Sequence, residues 1–369
     1  MPTPRNPARL IDRQAELDAS CAAIAGQGEI ALDTEFARTN TYRPQLCLLQ
    51  VAASGKMLCI DMLAGLDTRR LWDALAATGS LKTIHAAKQD LEVLALRFGG
   101  LPGPLFDTQI AAALLGHPPQ AGYAALVAAE LGVHLEKTQT RTDWSRRPLT
   151  AAQVDYAGDD VAFLLELGHR LRERLATLDR IRWVQEDCAA LLDPALYGVY
   201  PERAWERLTG VEYQPAAVQA RVRRLAAWRE RRADSADRPR QWILSDQALL
   251  ALASTNPRDV AGIERLDVLP AGAVRNSGPA VLAELRRADD DLASGAIDPK
   301  QWSRPTAPDG SRLKQLAGLV QKVAADLGIA PEILATRAEL TLLLRGSREM
   351  RPLRGWRRAV IGDTLLGAL

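Results

Sequence analysis

The residues of this chain with the clearest chemical potential are carboxylates. Asp33 and Glu35 stand two residues apart in the run Ile30-Ala31-Leu32-Asp33-Thr34-Glu35-Phe36. That run reads as a short buried strand, on which residues i and i+2 face the same way. The two acids then sit side by side, roughly 6–7 Å apart along the chain, while Thr34 points to the other face. Two acids on one face of an apolar strand repel each other and resist desolvation. A cation is therefore expected beside them, a divalent metal above all. Alone, a D-x-E more often marks an edge strand entering a solvated loop, so other acids must decide.

Two further positions supply them. Asp90 lies in the first turn of a helix that begins just past a strand end, in Ile84-His85-Ala86-Ala87-Lys88-Gln89-Asp90-Leu91. The helix dipole favours an acid there in any case. In Tyr156-Ala157-Gly158-Asp159-Asp160, on a long helix, Tyr156 and Asp160 are i and i+4 and share a face. Asp159, at i+3, competes with Asp160, and helical periodicity does not choose between them. Asp33, Glu35, Asp90 and Asp160 together suit a two-metal site, in which paired ions clamp the attacking and leaving oxygens of a displacement at phosphorus. Tyr156 could orient the attacking water. With an ordinary pKa of about 10 it is a poor free base.

The elements that must position these residues are legible in outline. Residues 8–27 read as an amphipathic helix ending at Gly26 and Gly28. Strands follow at Ile30–Phe36, Leu46–Ala52 and Lys56–Asp61, the last two joined by a short hairpin through Ala53-Ser54-Gly55. Next come a helix near 66–77, a strand at Lys82–His85 and a helix from Ala87 to Phe98 closed by Gly99-Gly100. Leu105–Asp107 is a short strand leading into helices near 108–116 and 122–131. After a polar stretch over 136–149, Thr150 caps a single long helix running to about 176. Three antiparallel strands followed by alternating strands and helices predict a mixed α/β sheet with helices packed on it.

Beyond about 180 no strand pattern survives. The expected organisation is an α/β domain over 1–190, a linker over 191–213, and helical blocks over 214–293 and 300–369. Arg240–Leu249 echoes Ala330–Leu340: in each, an Ile-Leu pair precedes a short leucine-rich helix, as expected of a duplicated small domain.

Composition bounds the class. The chain has 369 residues, 47% of them apolar and 25% charged, which is ordinary for a globular protein. There is no apolar run long enough for a membrane span and no signal-like N-terminus. Cys21, Cys47, Cys59 and Cys188 are scattered without a C-x-x-C pair, so buried free thiols in a reducing cytoplasm are expected. The net charge of +2 does not announce a nucleic-acid binder. Its distribution says more: residues 1–205 carry 21 Lys and Arg against 25 Asp and Glu, and residues 206–369 carry 26 against 20. Arginine outnumbers lysine 40 to 7, so a single arginine argues weakly for a phosphate contact.

Asp33-Thr34-Glu35, Asp90 and Tyr156-x-x-x-Asp160 resemble the three exonuclease motifs of the DEDD superfamily, in its tyrosine-containing branch. Within it the chain resembles the ribonuclease D family, through Ile30–Leu46, Leu105-Phe106-Asp107-Thr108-Gln109 and Arg141–Leu149. The helical blocks, through Leu225–Arg229 and Gly355-Trp356-Arg357, are similar to the HRDC domains shared with certain helicases. The resemblance covers essentially the whole chain. It implies a ribonuclease-H-like α/β fold followed by two small all-α domains. It further implies 3′-to-5′ hydrolysis of RNA with two Mg²⁺ or Mn²⁺ ions, release of nucleoside 5′-monophosphates, and trimming of tRNA precursors by a monomer. By the same resemblance Asp160 is chosen over Asp159, Asp33 bridges both metals, and Glu35 and Asp160 complete one site.

Secondary candidates surround these acids. His85, at a strand end, could steady the scissile phosphate or be structural. Lys137, Arg141, Arg146 and Arg147 precede the catalytic helix and could hold RNA phosphates, or form a solvated basic loop. Trp228, Trp242, Trp302 and Trp356 could grip RNA or fill the helical cores. Two rival readings need the same acids or none: a proofreading-type DNA exonuclease, and a catalytically silent RNA-binding protein.

Overall fold

The computed structural model describes residues 7–135, 142–296 and 309–369. These form two compact units. The first holds residues up to Ala37, then Gln45–Tyr197 and Pro308–Leu369; the second holds Arg38–Pro44 and Gly198–Ala307.

The first unit is built on a six-stranded mixed sheet. Its strands are β1 (Arg9–Ile11), β2 (Glu29–Ala37), β3 (Gln45–Ala53), β4 (Lys56–Asp61), β5 (Leu81–Ile84) and β6 (Leu105–Asp107), in the order β1-β4-β3-β2-β5-β6. β2, β3 and β4 run antiparallel; β1 joins β4, and β5 and β6 extend from β2, all in parallel. The β3–β4 connection is two residues, Ser54 and Gly55, both with positive φ (51° and 71°). That is the backbone a tight hairpin requires to match strand twist.

The sheet is covered on both faces. Ile30, Leu32, Leu49, Val51, Leu58 and Ile60 alternate onto one face, buried with α1 (Gln14–Ala25), α2 (Arg69–Ala76) and α3 (Lys88–Phe98). Ala31, Ala52, Met57, Leu48 and Cys59 line the other face with α6 (Ala151–Ala162). The helices α4 (Thr108–Ala113), α5 (Tyr123–Leu131), α7 (Leu164–Thr177) and α8 (Ile181–Ala190) complete this layer arrangement.

Two sequence expectations are corrected here. The segment 8–27 is not one helix, because Arg9–Ile11 pairs with Leu58–Ile60 before α1 begins. The helix from Thr150 also breaks: α6 ends at Ala162, and Phe163 (φ −112°, ψ 2°) separates it from α7.

Residues 309–369 pack within the first unit. Trp356 stacks on Trp183 with ring centroids 4.3 Å apart. Arg357 donates to both oxygens of Asp187 at 2.6 and 2.8 Å. Arg180 donates to the Leu114 and Leu327 carbonyls at 2.6 and 2.7 Å. Trp356 therefore fills a core.

The second unit is helical, with α9 (Ala216–Ala236), α10 (Arg240–Ile243), α11 (Asp246–Thr255), α12 (Val260–Arg265) and α13 (Ala271–Ala293) around one apolar cluster. The segment Arg38–Pro44 lies on α9. Its Tyr42 hydroxyl donates to Glu230 at 2.6 Å, and the Tyr42 and Arg43 backbone amides donate to Asp237 at 3.0 and 3.2 Å. The sequence echo has a structural counterpart. In both places a long helix is followed by a four-residue helix, one extended residue (Leu244, Ala335) and a hydroxyl N-cap (Ser245, Thr336). The structural correspondence pairs Ile243 with Leu334, one residue out of step with the Ile-Leu pairs.

Candidate active site

β2 carries two acids out of a buried environment. Ile30, Ala31 and Leu32 are fully buried, and Asp33 and Glu35 follow at the C-terminal end. Directly after Glu35 the β2–β3 register shifts. Such an irregularity re-aims side chains locally and ends the regular ladder beside the acids.

Asp160 reaches the same place from α6. Carboxylate oxygens of Asp33, Glu35 and Asp160 lie within 4.8 Å of one another. Helical phase alone left Asp159 and Asp160 open; the structure brings Asp160 into the cluster. Gly158 helps α6 lie close to the sheet, since a Cβ there would collide with Ala8.

Asp90 approaches from the other face of the sheet. Thr34 points there, as strand alternation demands, and its hydroxyl meets Asp90 Oδ1 at 2.5 Å. The turn that presents Asp90 is itself held by Asp107, whose carboxylate accepts from the Ala86 and Ala87 amides at 3.2 and 2.8 Å. Ala86 has φ 56°, a strained value for a residue with a Cβ. Asp107 also caps α4 through Gln109 and Ile110.

Burial raises all four carboxyls, and neighbouring acids add to it at Asp33 and Glu35. Burial, then Asp90, Asp160 and Glu35, push the Asp33 carboxyl well up. Burial, then Asp160 and Asp90, push Glu35 up to about 8. Burial pushes Asp160 and Asp90 up to about 7, against the lowering effect of the Thr34 bond on Asp90. Among the described residues no lysine or arginine is paired with Asp33, Glu35 or Asp160. The described residues thus assemble negative charge without a paired counter-charge, which is the donor set of a divalent-cation site.

Tyr156 is half-buried beside Trp144, ring centroids 6.2 Å apart. Burial, then Asp160, Glu35 and Asp33, push its phenol up to about 12. His85 is engaged elsewhere: its Nδ1 is 2.9 Å from the Thr108 hydroxyl, its ring packs on Tyr123, and burial lowers its pKa.

The basic candidates divide. Arg146 is exposed and pairs with Asp143 at 3.2 Å. Arg147 spends all five donors inside the protein, on both Asp61 oxygens and the carbonyls of Cys47, Trp144 and Arg146. No donor remains for a phosphate, so its observed work is to fasten the loop before α6 to the sheet. Lys137 and Arg141 lie outside the described residues, as does Trp302.

Sequence reasoning missed one residue that shapes this site. The Tyr123 hydroxyl accepts from the Phe163 amide at 3.1 Å and donates to the Asp159 carbonyl at 3.3 Å. Those are the two groups that an unbroken helix would join to each other. A side chain inserted into the ladder is a sufficient cause of a helix break, and this one falls next to Asp160. A tyrosine at the first position of a leucine- and alanine-rich helix gives no local signal of that role.

Comparison with known proteins agrees with the geometry. Residues 8–176 match the family described as 3′-5′ exonuclease, and residues 218–285 match the HRDC domain. The chain is 36% identical to ribonuclease D of Granulibacter bethesdensis, across 97% of this chain and 91% of that protein. The chain belongs to the ribonuclease D family. Ribonuclease D of Gluconacetobacter diazotrophicus is 37% identical across 91% of this chain and 86% of its own. The crystal structure of Escherichia coli RNase D, an exoribonuclease involved in structured RNA processing, superposes with a TM-score of 0.86 at 29% identity, covering 99% of both chains. The catalytic core of RRP6 from Trypanosoma brucei shares the fold, at a TM-score of 0.60 and 24% identity. As a ribonuclease D family member the chain is a 3′-5′ exoribonuclease, a hydrolase acting on RNA, with a mixed α/β exonuclease fold followed by helical regions. The readings as a proofreading DNA exonuclease or a silent RNA binder are set aside. Among the described residues no helix is long and apolar enough to cross a membrane.

Proposed function

We propose that this chain removes nucleotides one at a time from RNA 3′ ends by two-metal-ion hydrolysis, releases nucleoside 5′-monophosphates, and trims tRNA precursors. The observation that carries the reading is the convergence of Asp33, Glu35 and Asp160 within 4.8 Å, with Asp90 acting on Asp33 and Glu35 from the other face. The donor set fits Mg²⁺ or Mn²⁺: it offers only oxygen, and its four negative charges match two divalent cations. Asp33 would be shared by both ions, Glu35 and Asp160 would complete one site, and Asp90 would act through water. Ions held there would supply Lewis acidity for activating the attacking water and neutralising charge at the phosphodiester.

The chain's own residues supply placement. Asp33 and Glu35 are fixed by a buried strand, which holds them more rigidly than a loop would. Tyr156, with a phenol pKa of about 12, stays protonated at neutral pH. It therefore serves as a hydrogen-bonding group that orients the attacking water, not as the base that deprotonates it. Arg146, Lys137 and Arg141 are proposed phosphate contacts. Residues 214–293 and 300–369 are proposed as two HRDC-like nucleic-acid-binding domains after a linker at 191–213; the repeated helix order supports the duplication. Four free, buried cysteines suit a reducing compartment, and we place the enzyme in the cytoplasm as a monomer.

The test uses 5′-labelled RNA with Mg²⁺, Mn²⁺ or EDTA, comparing tRNA precursors with unrelated structured RNA. A ladder shortening by single nucleotides from the 3′ end, abolished by EDTA and by Asp33→Ala or Asp160→Ala in folded protein, is expected. An internal cut, or full activity of Asp33→Ala, would defeat the reading. Equal trimming of all RNAs would remove the tRNA assignment alone.

A further inference from the structure

Directly across the β2–β3 ladder from Asp33 stands Gln50. Residues paired in this way share a face of the sheet, with Cβ atoms about 4.5–5.5 Å apart. The next strand continues the row with Cys59, whose thiol donates to the Val154 carbonyl of α6 at 3.7 Å. Gln50 is therefore enclosed between the sheet and the helix that carries Tyr156 and Asp160. It is wholly inaccessible to solvent, and neither its Nε2 nor its Oε1 has a hydrogen-bond partner.

A carboxamide in that condition needs a reason. Buried polar groups are almost always paired, and leaving both ends of an amide unpaired disfavours the fold. An apolar side chain of similar size, methionine or the slightly shorter leucine, would occupy the space without that penalty. A neighbouring acceptor along the same row of side chains is Asp33. Its carboxylate would keep lone pairs free for hydrogen bonding even when it holds cations.

We infer that Gln50 is a positioning residue for Asp33: its Nε2 donates to the Asp33 carboxylate when the acidic cluster holds divalent cations. The bond fixes which lone pairs of Asp33 face the ions. The same amide is a burden in the cation-free protein, so stability and cation affinity trade against each other at this position. This inference rests on the cation site proposed above.

Gln50→Met and Gln50→Leu test it in the full-length protein. Wild type is first titrated with Mn²⁺ by calorimetry, and thermal unfolding is followed in EDTA and in Mn²⁺. In EDTA both variants are expected to melt at or above wild type, by roughly 2–4 °C. Their Mn²⁺ dissociation constants should rise about 10–100-fold, the usual cost of losing a hydrogen-bond partner behind a metal ligand. At fixed Mn²⁺, kcat should fall while KM for RNA holds. A lower melting temperature in EDTA with Mn²⁺ affinity within about twofold of wild type would mean simple packing and would overturn the inference. Failure of both variants to fold would overturn it too, since the amide would then be supporting the cation-free fold. If wild type bound no Mn²⁺, the cation site itself would fall, and Gln50 with it.

Discussion

Thr34 and Asp90, 56 residues apart in sequence, are joined by a 2.5 Å hydrogen bond between the hydroxyl and Oδ1. The bond ties the first turn of α3 to the end of β2. Asp33 and Glu35 are displayed toward α6 while the residue between them holds the fourth acid on the α3 side. Thr34→Val keeps the β-branched shape and removes only the hydroxyl. Its kcat should fall about 10–100-fold with KM for RNA little changed, because partners of metal ligands act on placement. Thr34→Ser should recover most of the activity. Steady-state kinetics on a single-stranded RNA checks both, and equal kcat for Val and wild type would show that Asp90 needs no such support.

What could be read from the sequence follows from where the causes lie. Asp33 and Glu35 were legible because strand alternation and the apolar residues before them are local facts. The hairpin at Ser54-Gly55 was legible for the same reason. β1 was not: three residues make a strand only through Leu58–Ile60, which lie far along the chain. Leu10 and Ile11 alone fit helical periodicity equally well. Arg147 looked like part of a basic loop because its partner, Asp61, lies 86 residues earlier. The helix break at Phe163 likewise coincides with contacts from outside, those of the Tyr123 hydroxyl. Local patterns fixed the chemistry, and distant partners fixed where each side chain ended up.

Tyr123→Phe probes that break. Losing the hydroxyl takes one hydrogen-bond partner from the Phe163 amide and one from the Asp159 carbonyl, and either leaves the kink in place or lets a regular helical turn close. The first outcome costs about 0.5–1.5 kcal/mol, the usual net worth of a hydrogen bond. The second straightens the helix and displaces Asp160, and a shift of about 1 Å at a positioning group lowers turnover by up to about 10²-fold. Denaturant unfolding together with kcat separates the two. Unchanged values in both would mean that the kink is set by something other than Tyr123.

The raised carboxyl pKa values make the cation-free protein sensitive to pH. Glu35 at about 8 and Asp90 and Asp160 at about 7 bind protons in the folded state well above the ordinary values of 4.5 and 3.8. The stability linked to them is fully present below the ordinary carboxylate range and is lost as pH rises through about 7–8. In EDTA the melting temperature should therefore fall between about pH 5.5 and pH 8.5, and less so for Asp33→Asn, which removes one repelling charge. Mn²⁺ should restore stability most at the alkaline end, where protons no longer compete for the same oxygens. A stabilisation by Mn²⁺ that did not grow with pH would contradict a carboxylate site.

Trp242 is the most exposed of the described large hydrophobic side chains, at 57%, and lies on α10 within the segment matched as an HRDC domain. The other described tryptophan of that domain, Trp228, packs against the apolar cluster, so it already has a structural use. An exposed indole offers a flat face on which an unpaired base can stack, a contact measured at about 1–3 kcal/mol per base in single-strand-binding proteins. Trp242→Ala should therefore raise KM for a structured RNA with an unpaired 3′ end by about 5–100-fold. Activity on a short single-stranded oligonucleotide should hold. Trp242→Phe should keep most of the affinity because it keeps a stacking face. A loss shared equally by long and short substrates would point to a folding defect, and no loss on either would leave Trp242 outside the RNA-binding surface.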